Sequence, residues 1–117
     1  MSTPIRQQYL ALKEKHRDSI LFFRLGDFYE TFDEDAELVS NALGIVLTSK
    51  PMGKGIRVPL AGVPFHSMET NVGKLVELGH KVAICEQMAD PSSVKGLVPR
   101  DVVRIVTAGT ITNEAAL

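Results

Sequence analysis

Seven consecutive residues of this sequence combine apolar bulk with charge: Gly26-Asp27-Phe28-Tyr29-Glu30-Thr31-Phe32. The segment leaves an apolar run through a glycine and carries three aromatic residues among acids. In an extended backbone Phe28 and Glu30 point to one face and Tyr29 to the other. Two roles are open to such a pair. Phe28 can pack in the core with Glu30 solvated, because large aromatics are mostly buried. Alternatively, an exposed ring can act as a wedge at a base step, and an acceptor beside it can bond to a base edge. Phosphates repel a carboxylate, so one placed at a nucleic-acid surface needs a specific task.

Other chemistries find little support. There is no G-x-x-x-x-G-K-[ST] phosphate loop, and Gly53-Lys54-Gly55 is not a dinucleotide fingerprint. His16, His66, His80 and Cys85 lack metal-ligand spacing. His80 and Cys85 have an odd separation, so in a strand they face opposite sides, and a Cys-His nucleophile is no better supported. Nuclease chemistry needs convergent carboxylates around a metal. Asp27 and Glu86 can be cast in that role, but nothing local ties them together.

The elements that must position these residues follow from patterning. Thr3-Pro4 opens a helix, with Ile5, Tyr9 and Leu12 on one stripe and Arg6, Lys13 and Arg17 on a solvated one. Ser19 to Leu25 reads as a buried strand broken by Gly26-Asp27. Asp33 caps a second helix with Ala36, Val39 and Leu43 inward and Gly44 at its stop. Ile45 to Ser49 is a second strand, and Lys50 to Gly55 a mobile, exposed loop. Arg57 to Val63 is extended, with Pro59 marking an edge or a bulge. Ser67 caps a third helix carrying Met68, Val72, Leu75 and Val76 inward, ended by Gly79. Lys81 to Gln87 and Val102 to Thr107 are strands, and the tail from Ile111 begins as a helix. This order predicts an α/β (α+β) fold: a single domain with a mixed sheet of about five to six strands flanked by three helices.

The 117 residues are 44% hydrophobic and 23% charged, which excludes a disordered chain and suits one domain. A formal net charge of −1 excludes a strongly basic nucleic-acid binder. It conceals an asymmetry. Asp27, Glu30, Asp33, Glu34, Asp35 and Glu37 fall together without a base among them, so the remainder is net positive and open to a polyanion. Lys50, Lys54 and Arg57, in or beside the glycine-rich loop, are the candidate phosphate contacts, with solubilising charge as the alternative. The single cysteine forbids an internal disulfide and fits a reducing, cytoplasmic location. No signal peptide or membrane span is evident.

The segment Gly26 to Glu30, GDFYE, resembles the N-terminal mismatch-recognition domain of the MutS family of bacterial DNA mismatch-repair proteins. TPIRQQYLALKEKH from Thr3, VPLAGVPFH from Val58, KVAICEQMADP from Lys81 and VVRIVTAGT from Val102 are similar to the same family. The resemblance spans nearly the whole chain, and the combination is far more specific than F-x-E alone. It implies a non-enzymatic DNA-binding domain over residues 1–110, with 111–117 opening a linker to a connector domain outside this sequence. It implies that Phe28 stacks on a mispaired or unpaired base from the minor groove and that Glu30 hydrogen-bonds to that base. The implied partners are mismatched double-stranded DNA, the remaining domains, a second subunit, and MutL for the full-length family. No cofactor is implied for this chain; ATP and magnesium belong to a C-terminal ATPase domain. Two alternatives compete: a metal-dependent nuclease-like enzyme on a similar sheet, and a structural docking domain with Phe28 in its core.

Overall fold

A computed structural model describes residues 2–114 of the chain. Its helices are α1 (Pro4–Lys15), α2 (Asp33–Leu43) and α3 (Met68–Glu77). Its strands are β1 (Ile20–Leu25), β2 (Phe28–Phe32), β3 (Thr48–Pro51), β4 (Arg57–Pro64), β5 (Val82–Gln87), β6 (Arg100–Thr107) and β7 (Thr110–Glu114). They form one sheet in the order β3-β4-β2-β1-β5-β6-β7. β1 and β5 run parallel, and the other neighbouring pairs are antiparallel. The mixed sheet flanked by three helices is therefore the predicted architecture. It has seven strands rather than five or six, because Phe28–Phe32 of the aromatic segment is itself a strand and the tail forms β7 instead of starting a helix. Residues 115–117 of the tail lie outside the described residues.

The sheet is covered on both faces. On one, Tyr9 and Leu12 of α1 pack over Leu21, Phe23, Phe32, Ala83 and Cys85. On the other, Val39 of α2 and Met68, Val72 and Leu75 of α3 pack over Phe22, Tyr29, Val63, Val82 and Ile84. The free thiol of Cys85 is wholly buried, and burial pushes its pKa up to about 12.

Local differences from the predicted pattern have physical causes. Thr3 caps α1 as expected, its Oγ1 accepting from Arg6 N–H at 3.2 Å. The basic stripe of α1 is not simply solvated. Arg6 clamps the Asp33 carboxylate through two bonds of 2.7 and 2.9 Å, and Lys13 donates to Asp35 at 2.9 Å. Asp35 is buried and also accepts from the Leu21 N–H at 3.0 Å, tying α2 to β1. Asp33 therefore does not cap α2. It is the first helical residue, held at φ +56° where β2 turns into the helix, and the bidentate arginine offsets that cost. Ser67 sits at the start of α3 but its hydroxyl donates back to the Pro64 carbonyl at 3.2 Å, because a 3-10 turn (Phe65–Ser67) precedes the helix.

The second predicted strand is shifted. Ile45 to Leu47 is irregular, and the edge strand is the polar Thr48–Pro51, so part of the predicted loop is strand. Met52 of that loop is buried rather than exposed. Pro59 marks neither an edge nor a bulge. It pairs with Ser49, one residue beyond the end of the β2–β4 ladder at Phe32 and Leu60, where β2 makes no demand on its missing N–H.

Candidate functional site

The site grows out of the β1–β2 hairpin. Leu25 and Phe28 face each other across a two-residue turn, and Gly26, the first of the two, has φ +62°. That is the place where two-residue hairpins of the II′ type use glycine, and the turn puts Phe28 first in its strand.

Cross-strand pairing fixes which face each side chain takes. Phe28 pairs with Pro64, Glu30 with Gly62 and Phe32 with Leu60, and this is the face that α1 covers. The cover is incomplete. Phe32 lies under Tyr9 with ring centroids 4.7 Å apart and is fully buried. Two steps along the strand Glu30 is half-buried, and at the strand's start Phe28 is 43% exposed. The ring of Phe28 and the carboxyl of Glu30 border an open groove of about 400 Å³, completed by Val46, Thr48 and Leu60. Val46 is 79% exposed. An apolar groove with one ionisable group, on a sheet face where a helix stops short, has no stability rationale and suits a ligand with both a flat apolar surface and polar edges.

The reverse face holds the hairpin still. Tyr29 is fully buried there and stacks on Phe65, and its hydroxyl donates to Glu86. Burial, with the Glu86 carboxylate, pushes the Tyr29 phenol up to about 12. Arg24 lies 4.0 Å over the Phe65 ring, pairs with Glu86 at 3.1 Å and donates to the Gly26 carbonyl at 2.7 Å. The Phe65 N–H donates to the Asp27 carbonyl at 2.8 Å. The turn carrying Phe28 is thus fastened on its far side to β5 and to the end of β4.

Partial burial raises the Glu30 carboxyl above the ordinary carboxylate range, and the Lys50 ammonium on β3 opposes that shift. A carboxyl whose folded pKa is raised costs stability when ionised. Above that pKa the cost is fully present. It fades as the pH falls below it, where the folded chain takes up the proton first, and is gone below the ordinary carboxylate range, where both folded and unfolded chains hold the proton.

The candidate phosphate contacts are not gathered on one face. Lys50 pairs with Val58, which places it on the face of Glu30. Arg57 pairs with Pro51, on the opposite face, and its guanidinium is tied to Ser49 Oγ at 3.1 Å and to the Ser49 carbonyl at 3.2 Å. Lys54 is exposed in the turn between β3 and β4. Of the two acids considered for nuclease chemistry, Glu86 is engaged by Arg24 and Tyr29, and Asp27 is exposed at the hairpin tip. Among the described residues no three of His, Cys, Asp and Glu are grouped to hold a metal ion. The exposure of Phe28 does not fit the docking-domain alternative in the form that buries this ring in the core. Sequence reasoning did not single out Gly62, Val46 or Arg24, whose relevance lies in cross-strand or cross-element contacts.

Residues 3–115 match the family model described as MutS domain I. The chain is 58% identical over 115 residues to the DNA mismatch repair protein MutS of Acetivibrio thermocellus, covering 98% of this chain and 13% of that protein. It is 57% identical to that of Caldanaerobacter subterraneus subsp. tengcongensis, with the same shares covered. Against that of Dehalococcoides mccartyi strain BAV1 the identity is 54% over 110 residues, covering 94% of this chain and 13% of that protein. The chain thus spans 13% of the length of these relatives.

Proposed function

Because this chain belongs to the MutS domain I family and is part of a DNA mismatch-repair protein, we propose that it is the protein's mismatch sensor, with Phe28 as the wedge and Glu30 as its polar partner. The observation that carries this reading is the 43% exposed Phe28 ring beside the half-buried Glu30 carboxyl, on a face that α1 leaves uncovered. A mismatch pairs and stacks poorly, so kinking the duplex there costs less than at a proper pair. Inserting a wedge costs a few kcal/mol per step in general, and the difference between the two sites becomes specificity. Stacking tolerates every base, since each has a π-face, which suits a sensor of many mispairs. Glu30 adds an acceptor when ionised and a donor when protonated. Its raised pKa supports use of the protonated form close to phosphates.

In this reading Lys50 meets the backbone on the wedge side, and Lys54 and Arg57 do so from the β3–β4 hairpin. The partners are mismatched duplex, the protein's other domains, a second subunit and MutL. The sensor runs through β7 to Glu114, beyond the expected limit at residue 110, and the residues after it lead toward a connector. We assign ATP and magnesium, as the family resemblance implies, to a domain outside this one. No helix among the described residues is long and apolar enough to cross a membrane. The proposed location is the cytoplasm, where the buried free Cys85 stays reduced.

Glu30 tests the reading. In a full-length MutS carrying this domain, Glu30→Gln removes repulsion from phosphates but keeps a donor and an acceptor. It raises affinity for matched duplex and lowers the ratio of mismatched to matched affinity. Glu30→Ala lowers that ratio further, because the bond to the base is lost as well. The check is both variants on both duplexes at one salt concentration; equal ratios for wild type, Gln and Ala mean that Glu30 does not touch the base. In the isolated chain Glu30→Gln also raises Tm near neutral pH, and the gain vanishes in acid where wild-type Glu30 is protonated.

Lys50 gives a different signature. Lys50→Ala weakens binding to matched and mismatched duplex alike and flattens the slope of log affinity against log salt by about 1. An unchanged slope assigns Lys50 to the protein's own surface.

A further inference from the structure

We propose that Gly62 is the positioning residue of this site: its bare Cα is the seat on which the Glu30 carboxylate lies beside the Phe28 ring. The consequence for DNA rests on the wedge reading above; the seat itself does not. A Cβ built on Gly62 stands 2.1 Å from Glu30 Oε1, 3.2 Å from Glu30 Cδ and 3.3 Å from Phe28 Cδ2. Both candidate base-contacting side chains therefore converge on one point, and that point is empty only because residue 62 has no side chain. Gly62 is the cross-strand partner of Glu30, inside a ladder that runs unbroken from Phe28 and Pro64 to Phe32 and Leu60.

Backbone freedom does not explain this glycine. Its φ lies outside the positive region, unlike that of Gly26, Gly44 or Gly79, so an L-residue fits its conformation. Glycine inside a strand weakens it, and alanine there is ordinarily no worse. The space above Gly62 thus serves the side chain laid across it. With a methyl group present the carboxylate, as the far end of a flexible chain, has to swing outward, while the backbone has no reason to move. Gly62→Ala is accordingly a substitution that folds but misplaces Glu30, while the 3.3 Å approach to Phe28 Cδ2 is relieved by a shift of a few tenths of an ångström in the exposed ring.

The test has two independent arms. In the 117-residue chain, Glu30 is titrated by carboxyl NMR and thermal unfolding is followed by circular dichroism. Gly62→Ala is expected to hold Tm and to move the Glu30 carboxyl into solvent, lowering its pKa toward the ordinary range; Lys50 of β3, which faces it, is checked with Lys50→Ala in the same background. An unmoved titration overturns the seat. If Gly62→Ala lowers Tm instead, Glu30→Ala added to it must restore folding, and failure to do so also overturns the proposal. In a full-length MutS carrying this domain, Gly62→Ala cuts the ratio of mismatched to matched affinity by up to about tenfold, the worth of one hydrogen bond. The Gly62→Ala/Glu30→Ala double variant goes no lower than Glu30→Ala. Losses that multiply overturn a role exerted through Glu30. If the titration moves but neither Glu30→Ala nor Phe28→Ala affects discrimination, the seat stands and the wedge reading falls.

Discussion

Phe28→Ala is expected to abolish discrimination between mismatched and matched duplex in a full-length MutS carrying this domain, while leaving the fold in place. Stacking of a base on an aromatic ring is worth roughly 1–3 kcal/mol, so the affinity ratio falls about tenfold or more. The fold survives because the ring is 43% exposed and lies beyond the cover of α1. Its apolar contacts are with groove residues at the sheet surface, and losing them costs no more than about 1 kcal/mol. Competition binding with a mismatched and a matched oligonucleotide checks the first half, and thermal unfolding of the isolated chain checks the second. A sharp drop in Tm with discrimination retained makes Phe28 a packing residue and removes the wedge.

The same change four residues along the same strand has the opposite outcome. Phe32→Ala is expected to cost about 3–5 kcal/mol, the usual penalty for emptying a buried aromatic site. That is a large share of the roughly 5–15 kcal/mol that holds a domain together. Phe32 is fully buried, edge-on to Tyr9 at 4.7 Å and to Phe23 at 6.1 Å, so the cavity opens beneath α1 where neither helix nor sheet can close it. Tm is expected to fall by about 10 °C or more. A small loss would mean that α1 settles into the gap. The two phenylalanines share a face and a strand, and the helix above one of them separates a structural role from an exposed one.

That separation was only partly legible in the residues. The alternation of Phe28, Tyr29 and Glu30 was, because strand periodicity assigns faces without reference to neighbours. Whether the face of Phe28 was covered was not, since that depends on where α1 lies across the sheet. The apolar stripes of all three helices were readable from spacing. The basic stripe of α1 looked solvated because its partners, Asp33 and Asp35, sit on another helix. β3 was expected three residues too early because Thr48–Pro51 is polar, while the neighbouring apolar Val46 and Leu47 are exposed. Gly62 escaped for the most general reason: an absent side chain matters through whatever fills its space, and here that is Glu30 from the adjacent strand.

The position of β1 bears on how the chain acquires its fold. On one side β1 pairs with β2 across a two-residue turn; on the other it runs parallel to β5, with Ile20 opposite Val82. The first pairing closes a minimal loop and can form early. The second must await the chain between, which contains α2, β3, β4 and α3, and it bears the closure entropy of that separation. During synthesis the apolar edge of β1 therefore emerges from the ribosome well before β5 exists to cover it. In that interval the edge is a template for strands of other chains. The rate at which β5 docks, more than the speed of the hairpin, then governs how much newly made protein escapes aggregation.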